Sequence, residues 1–244
     1  MDKIDKIFDK DCNDYSSGFK FDYQVANIFE NMISRSVPGY ENVITMSGIL
    51  ASKFVTDNAN CYDLGCSLGA TSFSIQKHIN AKNCRIYAID NSKAMIERLE
   101  SKLLISDVYP TPIIPILGDI QEVNMENNQL TAINFTLQFL KISERQSLLE
   151  KIYNSMSPGA VLILSEKIKS QNEEENNLLI DIYHQWKETN GYSKREIEKK
   201  REALENVLIP ESIEEHKARL EKVGFKNFSV WFRCFNFVSM VAFK

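Results

Sequence analysis

The sequence predicts an open α/β sheet of seven strands, mostly parallel, with antiparallel pairing at the C-terminus. Three observations carry this. From about residue 60, short apolar runs alternate with amphipathic helical patterns, as in a parallel sheet crossed by helices. The first run, CYDL (61–64), enters a glycine-spaced turn, GCSLGA (65–70). Two adjacent apolar runs, FSVWFRCF (228–235) and FVSMVAFK (237–244), close the chain as an antiparallel pair.

The elements follow in order. A helix leaves the glycine turn and runs through about His78. RIYAID (85–90) is a second buried strand. Ser92 can cap the next helix, where Met95, Leu99 and Leu103 repeat at helical spacing. Pro110, Pro112 and Pro115 punctuate the route to a third strand, IIPIL (113–117), which ends at Gly118-Asp119. LTAINF (130–135) is the fourth strand. The helix SERQSLLEKIYNSM is expected to open on a capping box, Ser143 with Gln146, and to stop at Ser157-Pro158-Gly159. AVLILSE (160–166) is the fifth strand.

A charged helical insert then spans about 171–206, with an apolar stripe of Leu179, Ile182, Tyr183 and Trp186. Such a stripe suits core or a partner-facing surface. A helix at 212–223, boxed by Ser212 and Glu215 and stopped by Gly224, leads to the final strands. Ahead of the sheet, a helical segment over about 20–56 turns at VPGY (37–40). Residues 1–244 read as a single domain with these two helical additions.

Composition narrows the function. A 43% hydrophobic, 25% charged chain of 244 residues is ordinary for a globular protein, and no run is long and apolar enough to span a bilayer. MDKIDKIFDKDC at the N-terminus has no apolar signal core. Five cysteines (Cys12, Cys61, Cys66, Cys84, Cys234) without a C-x-x-C pair predict a reduced, cytoplasmic protein without structural zinc. The net charge of −4 argues against direct nucleic-acid binding. The basic stretch KREIEKKRE (194–202) is interrupted by glutamates and reads as a solvated helix face. A small-molecule substrate is expected.

The glycine turn points to a cofactor. A dinucleotide fold wants G-x-G-x-x-G around a pyrophosphate, but Ser67 and Ala70 stand where the other glycines belong. Asp63, two residues before Gly65, would repel a phosphate and attract the sulfonium and ammonium of S-adenosylmethionine. Asp90 ends the second strand, placed for two ribose hydroxyls, and Asp119 ends the third, placed for the adenine amino group. Asn134 ends the fourth and faces the methionine part. Ligands of open α/β sheets bind outside the strands' carboxyl ends, so these four positions predict a Rossmann-like, class I S-adenosylmethionine-dependent methyltransferase fold.

The acceptor is not legible at this level. An N-P-P-[YF] loop is missing, since the corresponding stretch reads Asn134-Phe135-Thr136-Leu137. His78, His184 and His216 show no metal spacing, and no metal is expected. His216 shares an apolar face with Ile213, Leu220 and Val223, as a core histidine does. The residues alone give an S-adenosylmethionine-dependent enzyme acting on a small molecule.

Longer strings go further. RSVPGY, YDLGCSLGA, NFTLQFL, LSEK, NGYS, KR followed by LENV, HKARL and FRCFNF occur in order from about residue 20 to the end. Together they resemble the carboxy-S-adenosyl-L-methionine synthases, whose turn also reads G-C-S-L-G. Ile168 and Val238 depart from the family's pattern outside those motifs. The resemblance implies that S-adenosylmethionine and prephenate become carboxy-S-adenosylmethionine, phenylpyruvate and water. It also implies a homodimer and a downstream tRNA-modifying enzyme that uses the product at the wobble uridine. By the same resemblance Tyr40, Gly65, Cys66, Ser67, Asp90, Asn91, Asp119, Ile120 and Asn134 line the cofactor, and Arg201 holds the new carboxylate. Arg35 and His184 are candidates for gripping prephenate. A small-molecule or RNA methyltransferase, or a silent S-adenosylmethionine-binding module, is the alternative.

Overall fold

A computed structural model of the protein describes residues 19–244; MDKIDKIFDKDC and its Cys12 lie outside them. Two helices precede the sheet, α1 (Tyr23–Ser36) and α2 (Tyr40–Phe54). Asp22 caps α1 by accepting from the amides of Gln24 and Val25. The turn between the helices needs Gly39, whose φ is +71° and whose added Cβ would lie 2.3 Å from the Phe232 ring.

The alternating part runs β1 (Asn60–Leu64), α3 (Ala70–His78), β2 (Arg85–Asp90), α4 (Lys93–Leu103), β3 (Ile113–Leu117) and β4 (Asn128–Asn134). A short 3-10 helix (Leu137–Phe139), α5 (Ile142–Ser155) and β5 (Met156–Lys167) follow. The insert forms α6 (Glu173–Thr189) and α7 (Lys194–Leu204), and the chain ends with α8 (Ile213–Val223), β6 (Lys226–Cys234) and β7 (Phe237–Phe243). Ser92 caps α4 as expected, and α8 carries the Ser212–Glu215 box before Gly224. The expected box on α5 is absent. That helix starts one residue earlier, with Lys141 at its cap position, and Gln146 bonds Glu150 instead. Nor does a turn separate α5 from β5, because Met156 already pairs with Asn128.

The sheet order is β3-β2-β1-β4-β5-β7-β6, with β7 antiparallel to both neighbours. β1 to β5 are parallel. Their side chains alternate between two apolar cores. One packs Leu64, Ile133 and Leu164 on Leu149 and Ile152 of α5 and Leu220 of α8. The other packs Cys61, Ile86 and Ile163 on Ala51 of α2, Ile75 of α3 and Leu99 of α4. Two smaller clusters sit beyond these. Val25, Phe29 and Met32 of α1 pack on Leu68, Met95 and Ala203, while Val37, Phe135, Tyr183 and Phe237 form the second. His216 is 1% exposed and its ring finds no hydrogen-bond partner among the described residues, so burial lowers it to about 4 and keeps it neutral.

Arg145 is 0% exposed and holds three segments together. Its guanidinium donates to the carbonyls of Gln138, Leu140 and Ile209 and to Glu211, which Arg219 also binds. Removing it orphans those carbonyls around a buried carboxylate. Arg145→Ala should therefore lower stability by about 3–5 kcal/mol in urea denaturation. A loss below about 1 kcal/mol would show that the 138–140 and 209–211 segments hold themselves.

Candidate functional site

Parallel strands bring their carboxyl ends to one edge, and connections from β1 and β4 leave to opposite sides, opening a crevice. A cavity of about 930 Å³ occupies it. Its floor is the turn after β1. Gly65 and Gly69 both have φ of +78°, and Ser67 between them has φ of +49°. A Cβ on Gly65 would lie 2.2 Å from Thr136 Oγ1, so the turn and the segment after β4 approach too closely for any other residue. The left-handed Ser67 is strained for a side-chain-bearing residue, and a specific bond holds it. Its amide donates to Asp90 Oδ2 at 2.9 Å, while the Ser92 amide donates to Oδ1 at 2.8 Å. Asp90 thus ties the glycine turn to the start of α4. Burial nonetheless raises the Asp90 carboxyl, against those two amides.

The other strand ends are held in similar ways. Asp119 Oδ1 accepts the Gln121 amide at 2.8 Å. Asn134 is fixed from both sides, donating to Thr71 Oγ1 at 3.0 Å and accepting from Ser165 Oγ at 2.6 Å. Tyr40 stands at the start of α2, with its hydroxyl pushed up by burial. These groups share the cavity wall with Cys66, Asn91, Ile120 and Arg201, so the ten residues singled out in the sequence come together. Arg201 reaches the wall from α7 and is exposed.

Two expectations are corrected. Asp63 does not line the cavity. It is 1% exposed and accepts from the Ser72 amide at 3.0 Å and hydroxyl at 2.7 Å, capping α3 from the strand. Its carboxylate is spent on a helix N-terminus rather than on a sulfonium. Arg35 also lies off the wall; its Nε donates to Asn190 O at 2.7 Å and its guanidinium covers the Tyr192 ring at 4.1 Å. The basic stretch at 194–202 does present a solvated face, and Ile197 and Lys200 on its other side are buried. His184 does line the cavity.

The structure also adds residues. Lys167, Lys187 and Lys200 line the same cavity. Lys167 is one residue past the strand AVLILSE, at the end of β5, where the strand-end rule already pointed. Lys187 follows Leu179 and Tyr183 at four-residue steps, so a charged residue occupies a position of the apolar stripe. Ser36 joins the roof: its carbonyl accepts Tyr183 Oη at 2.7 Å and its Oγ accepts Lys200 Nζ at 2.7 Å. Among the described residues no group of histidine, cysteine or acidic side chains is placed to hold a metal. No helix among them is long and apolar enough to cross a membrane.

Known proteins share both sequence and fold. Residues 62–159 match the methyltransferase domain family. The carboxy-S-adenosyl-L-methionine synthase of Shewanella sediminis (strain HAW-EB3) is 49% identical over 228 residues, which cover 93% of each chain. That of Escherichia coli O1:K1 / APEC is 51% identical over 226 residues, 92% of this chain and 90% of the other. The chain belongs to the carboxy-S-adenosyl-L-methionine synthase family. Solved structures place its architecture among the S-adenosylmethionine-dependent methyltransferases. Human N-acetylserotonin methyltransferase in complex with S-adenosylmethionine matches with a TM-score of 0.62 at 17% identity, covering 91% of this chain and 55% of that one. A cyclopropane synthase from Mycobacterium tuberculosis matches at 0.57 and 14%, covering 77% and 62%. These two likenesses bear on the fold alone.

Asp63 makes a pH prediction. Burial raises its carboxyl from 3.8 to about 7 in the folded protein. The folded state therefore keeps a proton that the unfolded chain releases, and stability from this group falls as pH rises from 3.8 to about 7. Asp63→Asn should flatten that part of the stability profile and gain most near neutral pH. Urea midpoints across the window check this, and a variant with the wild-type slope would overturn it.

Proposed function

We propose that the protein converts S-adenosylmethionine and prephenate into carboxy-S-adenosylmethionine, phenylpyruvate and water. What supports this most is that ten residues from scattered motifs of the family line one cavity, in a chain about half identical to carboxy-S-adenosyl-L-methionine synthases. The residues present fit S-adenosylmethionine. Asp90 is buried with both oxygens already oriented by backbone amides, leaving lone pairs for two ribose hydroxyls. The turn Gly65-Cys66-Ser67 brings backbone close without the third glycine a pyrophosphate needs.

In this reading Asn91 flanks the ribose, Asp119 accepts from the adenine amino group, and Ile120 packs on the ring. Asn134, already fixed on both sides, meets the methionine end beside Tyr40. S-adenosylmethionine supplies a sulfonium methyl and prephenate a carboxylate released as it aromatises. The protein's work is orientation, exclusion of water and anchoring of carboxylates. Aromatic rings serve the exclusion: Tyr40, Phe135, Phe237 and Tyr183 lie in successive contact, 6.3, 6.1 and 5.1 Å apart. Arg201 offers a planar donor fork to the carboxylate that distinguishes product from parent. The protein acts as a cytoplasmic homodimer, and its product is the carboxymethyl donor for a tRNA wobble-uridine enzyme.

Purified protein given S-adenosylmethionine and prephenate should form carboxylated cofactor and phenylpyruvate in equal amounts by mass spectrometry. Formation of S-adenosylhomocysteine with methylated RNA or small molecule, and no phenylpyruvate, would establish the methyltransferase alternative. Arg201→Ala should weaken carboxy-S-adenosylmethionine by about 2–5 kcal/mol and barely change S-adenosylmethionine. Arg201→Lys should recover part of the loss. Calorimetric titrations of each variant with both forms decide it, and equal effects on the two would remove Arg201 from its role.

A further inference from the structure

The cavity wall carries more positive charge than the cofactor site accounts for. Lys187 and Lys200 are 4% and 5% exposed. The ammonium groups of Lys167 and Lys187 lie 5.1 and 4.8 Å from the centre of one ring, Tyr183. Among the described residues, no hydrogen bond or ion pair joins either of these two to a carboxylate. Burial lowers Lys167 to about 8 and Lys187 to about 7, and Lys187 is also repelled by Lys200 and Lys167. Burial lowers His184 as well, followed by Lys187, Lys167 and Arg201. The wall's carboxylates are elsewhere in the sequence: Asp90 and Asp119 at strand ends, Glu144 in α5, Glu205 just past α7.

Buried ammonium groups without carboxylates are costly, and the contacts with Tyr183 offset only part of that. A ligand that brings two negative charges removes the cost. A neutral methyl acceptor leaves both amines uncompensated, and the cationic cofactor is repelled toward Asp90. The aromatic path from Tyr40 to Tyr183 runs along the cavity wall and offers flat surface to a six-membered ring. We propose that the lysine-lined end of the cavity is the chamber for the second reactant, a cyclic dicarboxylate. Lys187 and Lys167 are its specificity-determining residues, meeting the carboxylates, and Lys200 is held between Ser36 and the Tyr192 ring to complete the positive wall. The assignment rests on prephenate being the co-substrate.

Lys187→Met and Lys167→Met test it, because each removes a charge and keeps most of the stem. Prephenate is titrated by calorimetry into protein saturated with S-adenosylhomocysteine, which has no methyl to react. Each variant should raise the prephenate dissociation constant roughly tenfold or more. S-adenosylhomocysteine affinity should stay within about twofold, and thermal stability should hold or rise because a buried charge is gone. Lys187→Arg should restore part of the prephenate affinity. A purely structural lysine predicts the reverse, with stability falling and prephenate binding unchanged. Wild-type turnover with undiminished prephenate affinity in both Met variants overturns the chamber and leaves the reaction standing. Wild-type protein that neither turns over nor binds prephenate overturns the reaction, and the chamber with it.

Discussion

Parallel pairing of β1 to β5 delivers five strand ends to the same edge, and the divergence of connections beside β1 leaves a gap among them. That constraint places the polar groups on the strand side of the cavity. The strand ends supply the glycine turn, Asp90, Asp119, Asn134 and Lys167 within one cavity. They fall in positions fixed by backbone hydrogen bonds, so their geometry does not depend on side-chain rotamers alone. The Ser67 amide bond to Asp90 is the local expression of this, since it joins the ends of the neighbouring strands β1 and β2 beside the gap.

A sheet edge is open to water, and the remaining elements close it. α1 lies over the glycine turn through Phe29 and Met32, which pack on Leu68 and Met95. The insert comes down beside it through Ala203 and Tyr183. Arg145 ties the 138–140 segment, which lines the cavity, to Ile209, whose neighbours Leu208 and Pro210 line it too. Floor and roof differ in chemistry accordingly. Asp90, Asp119 and Asn134 come from strand ends, with Lys167 beside them at the end of β5, while Lys187, Lys200 and the Tyr183 ring come from α6 and α7.

Much of this was legible in the sequence because strand ends are legible. A short apolar run followed by a polar residue and a turn can be read locally, and Asp90, Asp119 and Asn134 each follow that rule. Resemblance to a known family added Tyr40 and Arg201, which no local rule selects. Asp63 misled for a physical reason: successive strand residues face opposite ways, and its carboxylate meets the amide of Ser72 in α3 instead of the cavity. Ser143 misled because serine inside a first turn looks the same in sequence as serine before it. Lys167 was missed because the fifth strand was read as ending one residue before it, and Lys187 and Lys200 because charge in a helical stripe reads as solvent exposure. Their burial is set by α1 packing over α6 and α7, a contact between parts of the chain more than a hundred residues apart.

That separation has a consequence for how the molecule is assembled. The bond that sets the cofactor turn joins residues 23 apart in the chain. The bonds that set the roof at Ser36 join residues 147 and 164 apart. Loop closure costs about 0.6 kcal/mol per doubling of length, so the roof carries roughly 2 kcal/mol more closure entropy than the floor. Contacts of that range are slow to form. The order of the cover at Ser36 therefore depends on nearly the whole chain being in place, whereas the turn and Asp90 are set by one short stretch of it.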